Sequence, residues 1–176
     1  MKNIILTPPT LAHKAPLLAL QQAFDARGIT LAGASIGRFP DYESWLAFDQ
    51  APAGSAHPDG YNKVAASTFV AWDEAAQRIR GIIQIRHQLN DFLRQYGGHI
   101  GYSVPPDDWG KGYATHMLAL ALETCDALGI RDVLITCHPD NVASARVIEK
   151  NGGIYEKTIV FDGRPVKHYW IARQNP

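Results

Sequence analysis

One segment of the chain carries the residue types and spacing of a ligand site: His99-Ile100-Gly101-Tyr102-Ser103-Val104-Pro105-Pro106-Asp107-Asp108-Trp109-Gly110-Lys111-Gly112-Tyr113-Ala114-Thr115. The pattern predicts a strand, a short turn and then the start of a long amphipathic helix. The first N–H groups of such a helix have no partner within it, and the helix dipole favours negative charge there. Gly110 and Gly112 remove Cβ atoms that would hold a phosphate away from the backbone. Lys111 can add a charge-assisted contact. This chemistry suits a pyrophosphate, although a turn needing glycines for its conformation alone would show the same residues. A Walker loop is excluded because no G-x-x-x-x-G-K-S/T occurs. A Rossmann fingerprint is excluded because Thr115 stands where its last glycine is needed.

The flanking elements follow from periodicity and punctuation. Gly110 to Leu128 reads as the clearest helix, with Ala114, Met117, Leu118, Ala121, Leu122, Cys125 and Leu128 on one stripe. The strand before it, His99 to Val104, is stopped by Pro105-Pro106. Upstream, Val64–Asp73 and Arg78–His87 form an antiparallel hairpin about Glu74–Gln77, and Asn90 caps a short helical turn. Downstream come a strand from Arg131 to His138, a helix capped by Asn141 and ended by Asn151-Gly152-Gly153, and a hairpin of Ile154–Phe161 and Val166–Ala172. Thr10 caps a first helix that stops at Arg27-Gly28. The Gly- and Pro-rich stretch 33–60, with a short helix at Asp41–Leu46, reads as a mobile surface element. The order implies an α+β fold, a mixed sheet with helices on both faces, in one domain over residues 1–176.

Composition sets the outer limits. The 176 residues are 46% hydrophobic and 19% charged, which excludes disorder and collagen-like repeats. Seventeen basic residues balance seventeen acidic ones, so no nucleic-acid or membrane partner is expected. Cys125 and Cys137 read as buried reduced thiols, and the apolar run near Met1 is too short for a signal peptide, so a cytoplasmic setting is expected. His13, His57, His116 and His168 show no ligand spacing, and no metal is expected.

The run Gly110–Thr115 closely resembles the acetyl-CoA motif of the GNAT superfamily of N-acetyltransferases, Q/R-x-x-G-x-G/A, with Gly112 and Ala114 at its last two positions. Asn141-Val142-Ala143-Ser144-Ala145-Arg146-Val147-Ile148-Glu149-Lys150-Asn151-Gly152 resembles the family's N-x-x-A/S helix. The likeness covers about residues 64–172. Gly97-Gly98-His99-Ile100-Gly101-Tyr102 and Asn151-Gly152-Gly153 are similar to a bacterial group of predicted acetyltransferases. The resemblance implies a GNAT-like fold with a splayed parallel strand pair at its centre and acetyl-CoA as co-substrate. It also implies direct acetyl transfer to an amine, on a small molecule, peptide or protein, in a ternary complex. Backbone at Tyr102, Ser103 and Val104 would pair with the pantetheine arm. Main-chain donors between Trp109 and Thr115 (Gly110, Lys111, Gly112, Tyr113, Ala114) would hold the pyrophosphate. Asn141 would bond the pantetheine, and Ser144 would lie near the thioester sulfur. Relatives often pair through their C-terminal strands, so a homodimer is an expectation.

Departures from the motif matter equally. Trp109 replaces its Gln or Arg, while Asp107 and Asp108 bring negative charge near a polyanion and raise the importance of Lys111. The family's frequent catalytic Tyr falls at Ile148, which leaves Ser144, or more remotely Tyr155, to protonate a thiolate. An amine nucleophile must be neutral, and a free lysine amine titrates at about 10.4. A base near neutrality helps, and His99, where relatives carry Glu, is the candidate, with His138 as a second. Both also suit structural roles. Arg86, His87 and Glu43 could line an acceptor pocket. A catalytically silent acyl-CoA sensor with the same fold is the alternative to an enzyme.

Overall fold

The structure is a computed structural model and describes residues 3–173, so Met1 and Lys2 of the N-terminal apolar run lie outside it. The predicted hairpin forms from β2 (Ala66–Asp73) and β3 (Arg78–Arg86). Its alternation sends Val70 and Ile82 to one face and Ala71, Ile83 and Ile85 to the other. The pairing passes from Ala71 opposite Gly81 to Trp72 opposite Ile79, so Arg80 is the extra residue of a β-bulge. The bulge returns Ile79 to the same face as Ile82. β1 (Ile4–Thr7), which the sequence pattern does not reveal, adds to the free side of β2, and β4 (Ile100–Ser103) pairs with β3. All pairs are antiparallel.

A second sheet holds β5 (Asp132–Cys137), β7 (Arg164–Ala172) and β6 (Ile154–Phe161), in the order β5-β7-β6. The sheets meet where β4 runs beside β5. His99 donates its N–H to the Leu134 carbonyl at 2.7 Å, and its ring Nδ1 accepts the Leu134 N–H at 2.9 Å. Gly98 approaches so closely that a Cβ there would lie 2.6 Å from the Leu134 oxygen, and its φ of +62° also favours glycine. Among the described residues β4 and β5 form no continuous ladder, which is the expected splay.

Helices α3 (Tyr113–Ala127) and α4 (Val142–Lys150) cover one face over a core of Ile83, Ile100, Met117, Leu118, Ile135 and Ile148. α1 (Lys14–Asp25) and α2 (Tyr42–Gln50) cover the other. The stretch after α1 corrects the expectation of a mobile surface element. Leu31, Ile36, Tyr42, Trp45 and Leu46 are all buried, and Asp41 caps α2 by accepting the Ser44 N–H at 2.7 Å. The Gly and Pro around them obscure an apolar face whose periodicity spans two short elements. Cys125 and Cys137 are buried and free, and burial pushes both thiols up to about 11. No helix among the described residues is long and apolar enough to cross a membrane. No group of three or more His, Cys, Asp or Glu among them could hold a metal.

Candidate functional site

The loop from β4 to α3 begins with a 3₁₀ turn over Pro106–Asp108, in which Asp108 N–H bonds the Pro105 carbonyl at 2.8 Å. Gly110 and Gly112 then take φ of +72° and +83°, so α3 begins at Tyr113, three residues later than the start expected at Gly110. This left-handed backbone requires both glycines, and a Cβ on either would meet no protein atom within 4 Å. Conformation therefore explains the glycines, and the space beside them stays open to solvent. Among the described residues, no acceptor meets the N–H groups of Gly110, Gly112, Ala114 or Thr115, and the first helical bond is His116 N–H to Gly112 at 3.2 Å. The Lys111 N–H makes one long bond, 3.4 Å, to the Asp108 carbonyl.

The charge near this loop differs from the sequence expectation. Asp107 is exposed, but Asp108 is buried and accepts from Arg78, from Arg80 at 3.2 Å and from Lys111 at 3.2 Å. The bulged Arg80 also reaches Asp73 at 2.7 Å and lies over the Tyr113 ring, 4.6 Å from its centre. Asp108 is thus neutralised, and Lys111 shares its charge with it. Trp109 donates its indole N–H to the Val104 carbonyl at 2.8 Å and sets its ring edge against Phe24. It closes the turn where the motif's polar side chain is missing.

Across the splay, Asn141 caps α4 by accepting the Ser144 N–H at 3.0 Å. The Ser144 hydroxyl bonds the Tyr102 hydroxyl at 2.9 Å, which joins α4 to β4. Burial raises the Tyr102 pKa well above the ordinary phenol value, so the phenol keeps its proton. Ser103 faces the opposite side and accepts the Ala32 N–H at 2.9 Å, and Val104 is buried. Ile148, at the position of the family's Tyr, is wholly buried. Asn151, to which the sequence assigns no contact beyond ending the helix motif, donates to the Thr115 carbonyl at 3.2 Å and the Val147 carbonyl at 2.9 Å. It ties the end of α4 to the first turn of α3; its place beside the terminal glycines gave no hint of that reach.

His99 is where the structure departs most from the expected chemistry. Burial, with Arg94 and Arg86 nearby, lowers its pKa to about 4. The ring is therefore neutral at pH 7. Its Nδ1 lone pair is committed to the Leu134 N–H, which puts the remaining proton on Nε2. No lone pair is left for a general base, and His99 is a staple between the sheets. His138 is held by the Tyr96 hydroxyl at 3.4 Å and the Pro165 carbonyl at 3.1 Å, as a loop cap would be. Tyr155 bonds Thr158 at 2.9 Å on exposed β6 and does not join Ser144. Arg86, His87 and Glu43 do not converge. Glu43 pairs with Lys14 at 2.6 Å, His87 meets Ser67 at 2.8 Å, and Arg86 bonds Gly97 and Gly98.

A sheet split at β4 and β5 thus stands beside a helix that opens on unpaired amides. The sequence matches the family model described as "Acetyltransferase (GNAT) domain" over residues 3–154, and the chain belongs to this family. Its fold is shared by a Bordetella pertussis chain provisionally assigned as a GnaT-family acetyltransferase, with a TM-score of 0.67, 18% identity and 98% and 97% of the two chains covered. A variant of spermidine N-acetyltransferase from Vibrio cholerae gives a TM-score of 0.64 at 16% identity, covering 96% and 94%. Ribosomal-protein-S5-alanine acetyltransferase from Vibrio fischeri gives 0.64 at 13%, covering 98% and 94%. No curated protein matches the sequence.

Proposed function

We propose that the chain is a one-domain N-acetyltransferase that moves an acetyl group from acetyl-CoA to a primary amine by direct transfer in a ternary complex. The observation that carries the reading is the set of unpaired N–H groups of Gly110, Gly112, Ala114 and Thr115, with both glycines in left-handed backbone and open space beside them. A diphosphate fits such donors by charge and geometry. Gly110, Gly112, Ala114 and Thr115 are assigned to it, with Lys111 and Tyr113 completing the turn that presents them. The open side of β4 at Tyr102–Val104 and the Asn141 side chain are assigned to the pantetheine arm.

In the reaction the amine nitrogen attacks the thioester carbonyl, the C–S bond breaks, the nitrogen loses a proton and the sulfur gains one. Ser144 stands at the amino end of α4 with its oxygen fixed by Tyr102, and we assign it to the departing sulfur. Asp108, Arg80 and Asn151 are positioning residues for the loop. With His99 committed to Leu134, the attacking amine's proton passes to water. Amine acceptors on small molecules or polypeptides fit this chemistry. The test is thiol release from acetyl-CoA with an amine panel. Amine-dependent release above hydrolysis supports the reading, whereas CoA binding without release assigns the chain to the silent sensors.

A further inference from the structure

Arg86 ends β3 beside the junction of the two sheets, and its N–H bonds the His99 carbonyl at 2.7 Å. Its guanidinium folds over the Gly97-Gly98 turn, where Nη1 donates to both carbonyls at 2.9 and 3.2 Å. Among the described residues, nothing accepts from Nε or Nη2, and no carboxylate lies within ion-pairing distance. Desolvation pulls its pKa down to about 10, opposed only by the field of Tyr61. An arginine stays charged at such values, so the chain holds a partly buried cation without a counter-ion. Arg78 and Arg80 instead share Asp108, Arg38 has Asp59 and Arg173 has Asp126, while Arg27, which like Arg86 bonds a carbonyl and no carboxylate, is exposed.

The guanidinium is partly exposed, on the face of β4 that Gly33 covers. Nη2 stands 3.3 Å from where a Cβ of Gly101 would be, so a side chain at 101 would press on the guanidinium. On the same side Gly33 packs onto Gly101, and Leu31, Ala34 and Tyr61 line a cavity of about 470 Å³ with Asp25, Arg38 and Asp59; Arg86 is not part of that lining, but the field of Tyr61 reaches it. The free guanidinium edge therefore belongs to the α1–α2 side of β4, next to the gap in the sheet.

Resting on the acetyltransferase reading, we infer that Arg86 anchors a carboxylate of the acceptor, which makes the acceptor an amino-acid-like molecule bearing both amine and carboxylate. A guanidinium offers two parallel N–H donors to a carboxylate and cannot do the same for a carboxamide. The anion supplies the missing counter-charge and fixes the distance from which its amine reaches the thioester.

The experiment compares a panel of L-amino acids with the same amino acids as C-terminal amides, using wild type, Arg86→Lys and Arg86→Gln. Thiol release should favour free carboxylates by about tenfold or more in kcat/KM, the value of one charge-assisted pair. The preference should shrink in Arg86→Lys and vanish in Arg86→Gln, with circular dichroism confirming that both variants fold. Calorimetry with N-acetylated amino acids against N-acetylated amides reads the same preference without turnover. Equal use or equal binding of the two series by wild type overturns the inference. Calorimetry with CoA separates this from the broader reading: CoA binding with amide acetylation sinks only the role of Arg86, and absent CoA binding sinks the acetyltransferase.

Discussion

Replacing Asp108 with Asn turns a buried carboxylate into a neutral isostere at the base of the loop that opens α3. Counting charges near a polyanion's site rates the change harmless or helpful. The structure gives the opposite sign for stability. The Asp108 side chain is wholly buried, while Arg78 and Lys111 are 48% and 54% exposed. Their shares are those of surface pairs, about 0–1 kcal/mol each. Arg80 is only 14% exposed, and it dominates. Removing one partner of a buried pair costs about 3–5 kcal/mol. The lower end applies because Arg80 keeps Asp73 at 2.7 Å. A loss of about 3 kcal/mol lowers the thermal midpoint by about 6–12 °C in a chain of this size. Burial raises the Asp108 pKa, but the bonds from Arg80 and Lys111 and the fields of Arg78 and Arg80 outweigh it and hold the pKa below the ordinary 3.8. A folded pKa below the unfolded one gives stability that is complete above about pH 4 and lost as pH falls through the folded value. Thermal unfolding by circular dichroism at pH 7, and then at steps below pH 4, measures both effects. A midpoint within about 2 °C of wild type at pH 7 would refute the clamp, as would an acid limb unchanged in Asp108→Asn.

Three further outcomes are expected. Gly112→Glu should abolish CoA binding by calorimetry, because it sets a carboxylate among the donors, while Gly112→Ala shows the cost of left-handed strain alone, about 1–2 kcal/mol; unimpaired binding by the Glu variant removes the cradle. His99, buried with a folded pKa of about 4 against 6.5 unfolded, binds fewer protons folded than unfolded between those values. Stability should therefore fall as pH drops from 6.5 towards 4, by at most about 3 kcal/mol, and level off below. His99→Asn, which can still accept the Leu134 N–H, should flatten that limb in urea titrations, and a limb that persists assigns the proton uptake elsewhere. Ser144→Ala should lower kcat by about tenfold or more while CoA affinity stays near wild type; equal losses would make Ser144 a binding residue only.

What the sequence discloses about this chain divides along a physical line. Elements with one dominant period were legible, the β2–β3 hairpin and the α3 stripe, and so was the Asn141 cap; the start of α3 was not, because Gly110 and Gly112 were read as its first turn and are left-handed residues before it. Nor was β1, because a four-residue edge strand with three apolar residues is too short to show a period. The α2 region was misread because its core residues are scattered among Gly and Pro, and only the fold gathers Leu31, Ile36 and Trp45 into one cluster. The unpaired N–H groups are main-chain groups whose exposure follows from local backbone, and they fall in the segment that the spacing singles out. The side chains that serve them were hidden by distance along the chain. Asp108 looks like a repulsive charge until Arg78 and Arg80 arrive from a hairpin 28–30 residues away, one of them carried there by a bulge.

His99 shows the reverse error. Its intrinsic pKa suits a base, yet burial at the sheet junction and one backbone N–H from Leu134, 35 residues on, take away both its proton affinity and its lone pair. Residue type constrains chemistry only when the long-range partners leave the reactive atom free. In this fold the partners of Asp108 and His99 come from other strands. Arg86 lies beside the same junction, and the nitrogens it leaves uncommitted are what mark it for a ligand.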